Sequence, residues 1–225
     1  MKDPYVYEDT NILINLKNIK NQDELDEYES SLFKLSFIKL KNDNFIIKDV
    51  KDVFYIHKAL FDKVYSWAGL SRTINIEKSE YVLNGLSVEY SDYSNINNEI
   101  EKLNNEFKSI NNNDVNIKDI TKFISKIWKI HPFREGNTRT VGVFLYFWIK
   151  RLDLNLNNDF IGENAKYFRN ALVLASIGEY SEYGHLENIL KDAIDNKNIS
   201  LNGNKYKSIK GYDLKHYRYN YHHIK

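Results

Sequence analysis

The 225-residue chain has a nearly balanced charge and a composition typical of a folded protein. Its 32 Lys and Arg residues face 31 Asp and Glu residues, which gives a formal net charge of +1. This balance argues against a protein that binds nucleic acid through bulk electrostatic attraction. Hydrophobic residues make up 42% of the chain and aromatic residues 14%, too many for a disordered protein. Because cysteine is absent, disulfides, thiolate metal sites and cysteine catalysis are excluded.

The sequence shows no targeting or membrane-spanning segment. Residues 1–18 contain no continuous apolar stretch, and no run of about 18 apolar residues occurs anywhere in the chain. We therefore expect a cytoplasmic protein that binds neither membranes nor nucleic acid. Delivery into another cell by a signal not recognisable in the sequence stays open.

Apolar residues recur at helical spacing along most of the chain. This spacing predicts a series of amphipathic helices, with apolar stripes that run from Leu25 to Ile38, Val53 to Trp67, Ile96 to Phe107, Ile117 to Ile127, Ala165 to Ala175 and Leu186 to Ala193. Gly69 is expected to end the second of these helices. Residues 141–149 are apolar on nearly all sides and predict the central helix of a bundle, and the polar run 111–114 predicts a loop.

One segment interrupts the helical pattern. Short β-prone stretches at residues 73–76 and 81–85 flank polar residues and predict a small hairpin, called the flap below and spanning about residues 73–85. Prolines are present only at Pro4 and Pro132, so helices meet few interruptions. The predicted fold is therefore an all-α helical bundle with one small β-hairpin flap.

The residues with the clearest chemical meaning lie between two predicted helices, in the run HPFREGNTRT at 131–140. A helix that begins after Gly136-Asn137 offers free backbone N–H groups and a positive dipole end, which suit an anion, and Arg139 suits phosphate oxygens. Glu135 would repel that anion unless Mg²⁺ bridged the two. His131, at the end of the preceding helix, could act as a general base. Together these parts suit the transfer of a phosphorus centre to a hydroxyl group.

Each of these residues also has an ordinary structural explanation. A single His at a helix end is more often structural than catalytic, and Glu135 could form a solvated ion pair with Arg134 or Arg139. A metallohydrolase is disfavoured, because no His or acidic residue lies three or four positions before His131. The other histidines are interpreted as packing or solvated residues: His57, His185, His216, His222 and His223.

The run HPFREGNTR resembles the signature of Fic-domain proteins of the Fic/Doc family, His-x-Phe-x-[Asp/Glu]-Gly-Asn-Gly-Arg-x-x-Arg. Residues 60–79 (LFDKVYSWAGLSRTINIEKS) are similar to the family's pre-flap helix and flap, and residues 3–15 (DPYVYEDTNILIN) to its N-terminal lead. The resemblance covers most of residues 4–195. It implies a Fic domain over residues 1–196, with its core at about 50–195 and its motif at 131–142, followed by a Tyr- and His-rich extension over 197–225.

The resemblance implies a nucleotidyltransferase that moves AMP from ATP to a Ser, Thr or Tyr hydroxyl of a target protein, or of the chain itself. His131 would take the proton from that hydroxyl, and Phe133 would anchor the loop in the core. Glu135 would hold Mg²⁺ against the α- and β-phosphates, and Arg139 would bind the outer phosphates. The remaining motif residues, which would form an anion hole, are Gly136, Asn137 and Thr138.

The flap would align the target segment by strand-like pairing. The residues expected to take part are Ile76, Lys78, Tyr81 and Leu83. Packing of the hairpin itself is nearly as good an explanation for Tyr81 and Leu83.

Two departures from the family signature leave the donor open. Thr138 stands where the second glycine is expected, and Gly142 stands where the final arginine is expected, so one γ-phosphate contact is missing. The same fold could therefore transfer another group, such as UMP, phosphate or phosphocholine. A degenerate module that binds a nucleotide or a partner without turnover is the alternative from a different class.

Many Fic proteins restrain themselves with a glutamate that pairs with the final motif arginine. Here Tyr219 stands at the glutamate position of the C-terminal stretch that weakly resembles the inhibitory helix, and no match is found upstream. We therefore expect that this form of autoinhibition is lost, and that restraint comes from the Tyr-rich tail or from a separate antitoxin-like inhibitor acting on a toxin-like protein. A merely variable surface tail is the alternative.

Overall fold

Helices make up nearly all the regular structure in residues 3–110 and 115–195, which the computed structural model describes. The α-helices in this part of the chain are α1 (Gln22–Asn42), α2 (Asp52–Phe61), α3 (Ile96–Ser109), α4 (Ile117–Ile130), α5 (Asn137–Arg151), α6 (Asn158–Glu163), α7 (Ala165–Leu174) and α8 (Gly184–Asp195). β-Structure among the described residues amounts to one isolated bridge between Val6 and Leu13. The predicted all-α fold is confirmed. The loop predicted at 111–114 and the extension predicted at 197–225 lie outside the described residues.

The described residues belong to two compact units. The first takes its residues from Met1–Asn75, Ser91–Ile110 and Ile130–Leu152, and the second from Ile76–Tyr90, Asn111–Lys129 and Asp153–Lys225. The first unit therefore contains α1, α2, α3 and α5, together with the whole HPFREGNTRT motif. The second contains α6, α7, α8 and all of α4 except its last residue.

Helix α5 is the core helix of the first unit. Its side chains are buried on nearly every face, as the apolar run 141–149 predicts, and Phe144, Leu145 and Trp148 are fully buried. Helix α2 packs against both α5 and α1. The ring of Phe107 from α3 lies 5.3 Å from the ring of Trp148, in an edge-on arrangement that favours aromatic pairs.

Helix α1 begins where a capping residue predicts it, but it buries a different face from the predicted one. The side chain of Asn21 accepts a hydrogen bond from the Glu24 N–H, which satisfies one of the unpaired donors of the first turn. The predicted stripe is wrong at Leu35 and Ile38, which are 63% and 52% exposed. The buried face instead follows Leu25, Glu29, Phe37 and Leu40, because the Glu29 carboxylate is paired and the Phe37 ring packs on the rings of Tyr146 and Phe147 of α5.

Helix α2 is shorter than predicted. It ends at Phe61, whose carbonyl accepts hydrogen bonds from the N–H groups of Val64 and Tyr65, and the chain then continues as turns. Gly69 has a left-handed φ of 81° and lies in these turns, not at the helix end. A Cβ at Gly69 would come within 2.7 Å of the Lys58 Cβ, so glycine is needed for the turns to fold back onto α2.

The second unit is built around α7. This helix packs against α6, α8 and the 3₁₀ turn Tyr81–Leu83. Glu80, which precedes that turn, is buried and accepts hydrogen bonds from Arg169 of α7 (2.7 Å) and from the Tyr90 hydroxyl (3.1 Å). The charge of Arg169 compensates the buried carboxylate and ties the turn to the helix.

The predicted β-hairpin is replaced by a turn without strands. Residues 73–90, all of them described, contain no strand, and the chain reverses through the 3₁₀ turn Tyr81–Leu83. Glu80 donates its N–H to the Leu86 carbonyl and accepts from the Gly85 N–H through its own carbonyl. The segment folds back on itself as predicted, but the buried side chains of Val82 and Leu83 and the left-handed φ of Asn84 favour a tight helical turn over extended pairing.

Among the described residues, none of the helices combines the length and the apolar character needed to cross a membrane.

Candidate active site

The residue predicted to be the general base lies in a sharp bend between α4 and α5. His131 directly follows the last residue of α4, is buried, and has a left-handed φ of 51°, an uncommon conformation for a residue with a side chain. Pro132 disfavours helical backbone at His131, so the helix ends here. Backbone strain of this kind persists only where neighbouring contacts impose it.

Arg72 supplies such contacts. Its guanidinium is buried and donates from Nε to the His131 carbonyl at 2.9 Å. Other N–H groups of the same guanidinium donate to the carbonyls of Ile74 and Ser91, and the Arg72 backbone N–H donates to the Pro132 carbonyl at 2.8 Å. One side chain thus joins the bend at His131 to the two chain segments that flank residues 76–90.

The motif loop is held by a reciprocal clamp between its two ends. The Phe133 N–H donates to the Asn137 side-chain oxygen at 3.0 Å, and the Asn137 side-chain amide donates to the Phe133 carbonyl at 2.8 Å. The ring of Phe133 is buried and stacks on His57 with 3.8 Å between ring centroids. This burial supports the predicted anchoring role of Phe133. Because both polar atoms of the Asn137 side chain are used in these two hydrogen bonds, the backbone N–H of Asn137 is the group that could contribute to an anion site.

His57 fixes the turn that leads into α5. Its Nδ1 accepts a hydrogen bond from the Gly69 N–H at 2.8 Å, so Nε2 carries the proton and donates to the Glu135 carbonyl at 3.0 Å. Burial lowers the pKa of His57 to about 3, against a smaller upward effect of the hydrogen bond to Glu135. The imidazole is therefore neutral near pH 7 and acts as a fixed donor.

Gly136 allows α5 to begin next to the rings of Phe61 and His57. It is the N-cap of α5, with a left-handed φ of 81°, and has no side chain to cap the helix. A Cβ there would come within 2.6 Å of the Phe61 ring and 3.3 Å of His57 Nε2. The first i→i−4 hydrogen bond of α5 runs from the Thr140 N–H to the Gly136 carbonyl. The N–H groups of the preceding three residues therefore lie ahead of the helical hydrogen-bond ladder, where a helix binds anions.

Two charged side chains of the motif flank this helix end. Glu135 is partly exposed, and its Oε1 accepts a hydrogen bond from the Gly136 N–H at 2.9 Å. Arg139 lies one helical turn on, with Nη2 3.8 Å from that same Oε1. Arg134, by contrast, forms an ion pair with Asp3 at 2.8 Å. Of the motif's two arginines, Arg139 is thus the one beside the helix N-terminus.

Arg139 also binds a residue far away in the sequence. Its Nη1 forms an ion pair with Oε1 of Glu29 on α1, and the other carboxylate oxygen of Glu29 accepts a hydrogen bond from the Tyr65 hydroxyl. Glu29 is only 6% exposed. Burial, and to a lesser degree the Glu29 charge, raises the pKa of Tyr65 well above its usual value, so the phenol remains a hydrogen-bond donor.

The first unit therefore brings together the motif residues predicted from the sequence: His131, Phe133, Glu135, Gly136, Asn137, Thr138 and Arg139. Sequence reasoning missed Glu29, Tyr65, Arg72 and the supporting role of His57. A glutamate four positions after a buried leucine on an otherwise apolar face was a usable signal, since a buried carboxylate requires a partner. For Arg72, neither periodicity nor spacing gave any signal.

The predicted flap residues lie in the second unit and differ in exposure. Leu83 is fully buried, which favours the packing explanation for this residue. Tyr81 is 70% exposed, with the ammonium group of Lys166 5.5 Å from its ring centroid. Ile76 and Lys78 are half-buried, and the Lys78 N–H donates to the Ser87 hydroxyl at 3.1 Å.

The described part of the chain contains no ready-made cluster of protein ligands for a metal ion. No group of three or more His, Asp or Glu side chains is arranged to hold one within residues 3–110 and 115–195. Mg²⁺ does not require such a group, because it is often bound by one or two carboxylates together with substrate phosphates and water. The partly exposed Glu135 carboxylate beside a helix N-terminus fits that pattern.

Comparisons with known proteins bear on the family of this chain. The family model described as Fic/DOC family matches residues 48–149. The probable protein adenylyltransferase y4lH of Sinorhizobium fredii is 32% identical over 155 residues, which cover 64% of this chain and 74% of that protein. Protein adenylyltransferase VbhT of Bartonella schoenbuchensis is 27% identical over 201 residues, which cover 88% of this chain but 39% of VbhT.

A solved structure extends the likeness to the fold. BepC, a VirB-translocated effector protein of Bartonella tribocorum crystallised with bound AMPPNP, is 18% identical and superposes with a TM-score of 0.67 over 84% of this chain and 95% of that one. This chain spans well under half the length of VbhT but most of y4lH. From the match to y4lH, the family model and the motif geometry, the chain belongs to the Fic/DOC family.

Proposed function

We propose that this chain is a protein adenylyltransferase, which transfers AMP from Mg-ATP to a Ser, Thr or Tyr hydroxyl of a target protein. The observation that carries the proposal is the start of α5, where backbone N–H groups that precede the helical hydrogen-bond ladder, Arg139 and Glu135 lie directly after the bend that contains His131. The relatives y4lH and VbhT carry the name of this activity, and BepC was crystallised with an ATP analogue.

The anion site would bind the phosphates of the nucleotide. Backbone N–H groups of Asn137, Thr138 and Arg139 precede the helical ladder and would donate to the phosphate that is attacked. The guanidinium of Arg139 would contact the outer phosphates. Because position 142 is glycine, no second arginine follows one turn later, and outer-phosphate binding would depend on Arg139.

His131 would act as the general base. It would accept the proton of the target hydroxyl while that oxygen forms a bond to the α-phosphorus. The bond from the α-phosphorus to the oxygen bridging to the β-phosphate breaks, and pyrophosphate leaves. Arg72 would hold the backbone of His131 during this step. Glu135 would hold Mg²⁺, which neutralises phosphate charge when it is bound.

The flap residues remain candidates for target binding. Tyr81 offers an exposed ring, and Ile76 and Lys78 belong to the stretch without helix or strand that precedes the 3₁₀ turn. We propose that this stretch pairs with an extended segment of the target.

Intact-mass spectrometry of the purified chain after incubation with Mg²⁺ and ATP tests the activity first, beside His131→Ala as the matched control. We expect the wild type, and not the variant, to gain adenylyl units, and to transfer labelled AMP to a protein in a host lysate. The same incubation with UTP, with CDP-choline and with ATP labelled on the γ-phosphate separates transfer of UMP, phosphocholine or phosphate. No transfer from any donor, to itself or to lysate proteins, would contradict the proposal and support a binding module.

A further inference from the structure

We propose that Glu29 is a positioning residue for Arg139: its buried carboxylate holds the guanidinium in one orientation, so that the remaining N–H groups are presented to the outer phosphates of the nucleotide. The inference rests on the proposed function, because it concerns the same phosphate site. Glu29 lies on α1, outside the motif and about a hundred residues before Arg139.

Both oxygens of the Glu29 carboxylate are engaged. One forms the ion pair with Arg139 Nη1, and the other accepts the hydrogen bond of the Tyr65 hydroxyl. Tyr65 is itself fixed, because it is buried and its ring stacks on Trp67 with 4.4 Å between centroids. The carboxylate therefore has a defined position from which it can orient a guanidinium.

Aromatic rings confine Arg139 as well. The central carbon of its guanidinium lies 4.9 Å from the ring centroid of Phe61 and 5.8 Å from that of Phe33. Rings at these distances attract the cation and restrict the rotation of its side chain. The side chain of Arg139 is nevertheless 31% exposed, so it is not sealed from solvent by these contacts.

The burial of Glu29 also decides against a competing role as a latch that releases Arg139 when phosphate binds. A buried carboxylate that loses its cation strongly destabilises the protein, because its charge is left uncompensated, and the Tyr65 hydroxyl alone does not replace that cation. Guanidinium carries five N–H donors, so it can keep Glu29 on one side and bind phosphate on another. The pair therefore persists in the nucleotide complex.

Two substitutions of Glu29 separate the effect of its side-chain length from the effect of its negative charge. Glu29→Asp keeps the negative charge but shortens the side chain, so that one carboxylate no longer reaches both Arg139 and Tyr65. Glu29→Gln keeps the length and removes the charge. Glu27→Gln is the matched control, since Glu27 is an exposed residue of the same helix. Binding of Mg-ATP and of AMP is measured by titration calorimetry, and folding is followed by the thermal midpoint of each variant.

We expect Glu29→Asp to weaken Mg-ATP binding about tenfold, the usual scale for one hydrogen bond to a charged group. AMP, which has no outer phosphates, should bind the variant as it binds the wild type, and this also shows that the variant is folded. Glu29→Gln should lose less than Glu29→Asp. Glu27→Gln should bind both nucleotides normally.

A double-mutant cycle tests whether Glu29 acts through Arg139. In an Arg139→Lys background, which keeps a cation beside the carboxylate, Glu29→Asp should add little further loss of ATP affinity. An additive loss, unchanged ATP affinity in Glu29→Asp, or tighter ATP binding by Glu29→Gln would each overturn the inference. A wild type that binds no ATP, or an Arg139→Lys variant that binds ATP normally, would instead show that the proposed phosphate site is wrong.

Discussion

At the scale of the residue, His57 is a buried ring that holds the motif loop through both of its nitrogens. It is fully buried between Phe133 and Phe61, and its two nitrogens link the Gly69 turn to the Glu135 carbonyl. Protonation would convert Nδ1 from an acceptor into a second donor facing the Gly69 N–H. Protonation of His57 would therefore break its hydrogen bond with the Gly69 N–H and disturb the motif loop.

We expect this ring to make the fold sensitive to acid. Because burial lowers the pKa to about 3, the unfolded chain binds a proton at His57 below pH about 6.5 while the native chain does not. Stability is therefore lost as the pH falls from about 6.5 towards 3, and at pH 5 this one group costs about 2 kcal/mol. Urea unfolding of the wild type and of His57→Gln at pH about 7.5 and about 5 measures the effect.

The informative quantity is the change in unfolding free energy between the two pH values. We expect His57→Gln to be less stable than the wild type at neutral pH, because the stack on Phe133 is lost. On acidification, however, the variant should lose about 2 kcal/mol less than the wild type. Equal losses in the two proteins would show that His57 does not titrate in this way.

At the scale of the element, the start of α5 depends on a glycine for two separate reasons. Gly136 has a left-handed φ, and a Cβ at this position would lie only 2.6 Å from a ring carbon of Phe61. Gly85 has a similar φ of 88°, but a Cβ there would meet only the Ser79 hydroxyl at an ordinary 3.5 Å. Gly136 is thus required by conformation and space together, whereas Gly85 is required by conformation alone.

We expect Gly136→Ala to destabilise the protein more than Gly85→Ala. The left-handed conformation costs about 1–2 kcal/mol for a residue with a Cβ, which is the whole expected effect at Gly85. At Gly136 the overpacking against Phe61 adds about 1–3 kcal/mol. Urea unfolding of the two variants measures both losses, and equal values would contradict the packing argument.

At the scale of the whole molecule, a ligand that binds only the native chain should stabilise it. At a concentration about 100 times its dissociation constant, Mg-ATP should add about 2.7 kcal/mol to the free energy of unfolding. His131→Ala should keep this stabilisation, because the proposed phosphate contacts come from α5, whereas Arg139→Ala should lose most of it. Thermal unfolding with and without nucleotide measures these changes relative to each variant's own ligand-free midpoint.

This comparison separates binding from chemistry. A His131→Ala variant that is stabilised by nucleotide but transfers no AMP would assign His131 to the chemical step. Equal stabilisation of wild type and Arg139→Ala would place the outer phosphates elsewhere and contradict the assignment of Arg139.

The sequence by itself determined the helical class, the family and the motif. Local rules were sufficient there, because helical spacing, the break at Pro132 and the contiguous run 131–140 concern residues close together in the chain. The same rules failed where tertiary packing overrode them. Leu35 and Ile38 are exposed although they fit an apolar stripe, and the predicted hairpin at 73–85 folds around a 3₁₀ turn.

Only the tertiary structure decided what surrounds the motif. Glu29 reaches Arg139 because α2 packs against both α1 and α5, and Tyr65 in turn reaches Glu29. Arg72 reaches the bend at His131 across 59 positions of sequence. Such pairs have no local signature, since a buried charge is stable only through a partner supplied by another part of the chain. The sequence therefore determined which residues could perform the chemistry, and the packing of distant helices decided how those residues are held.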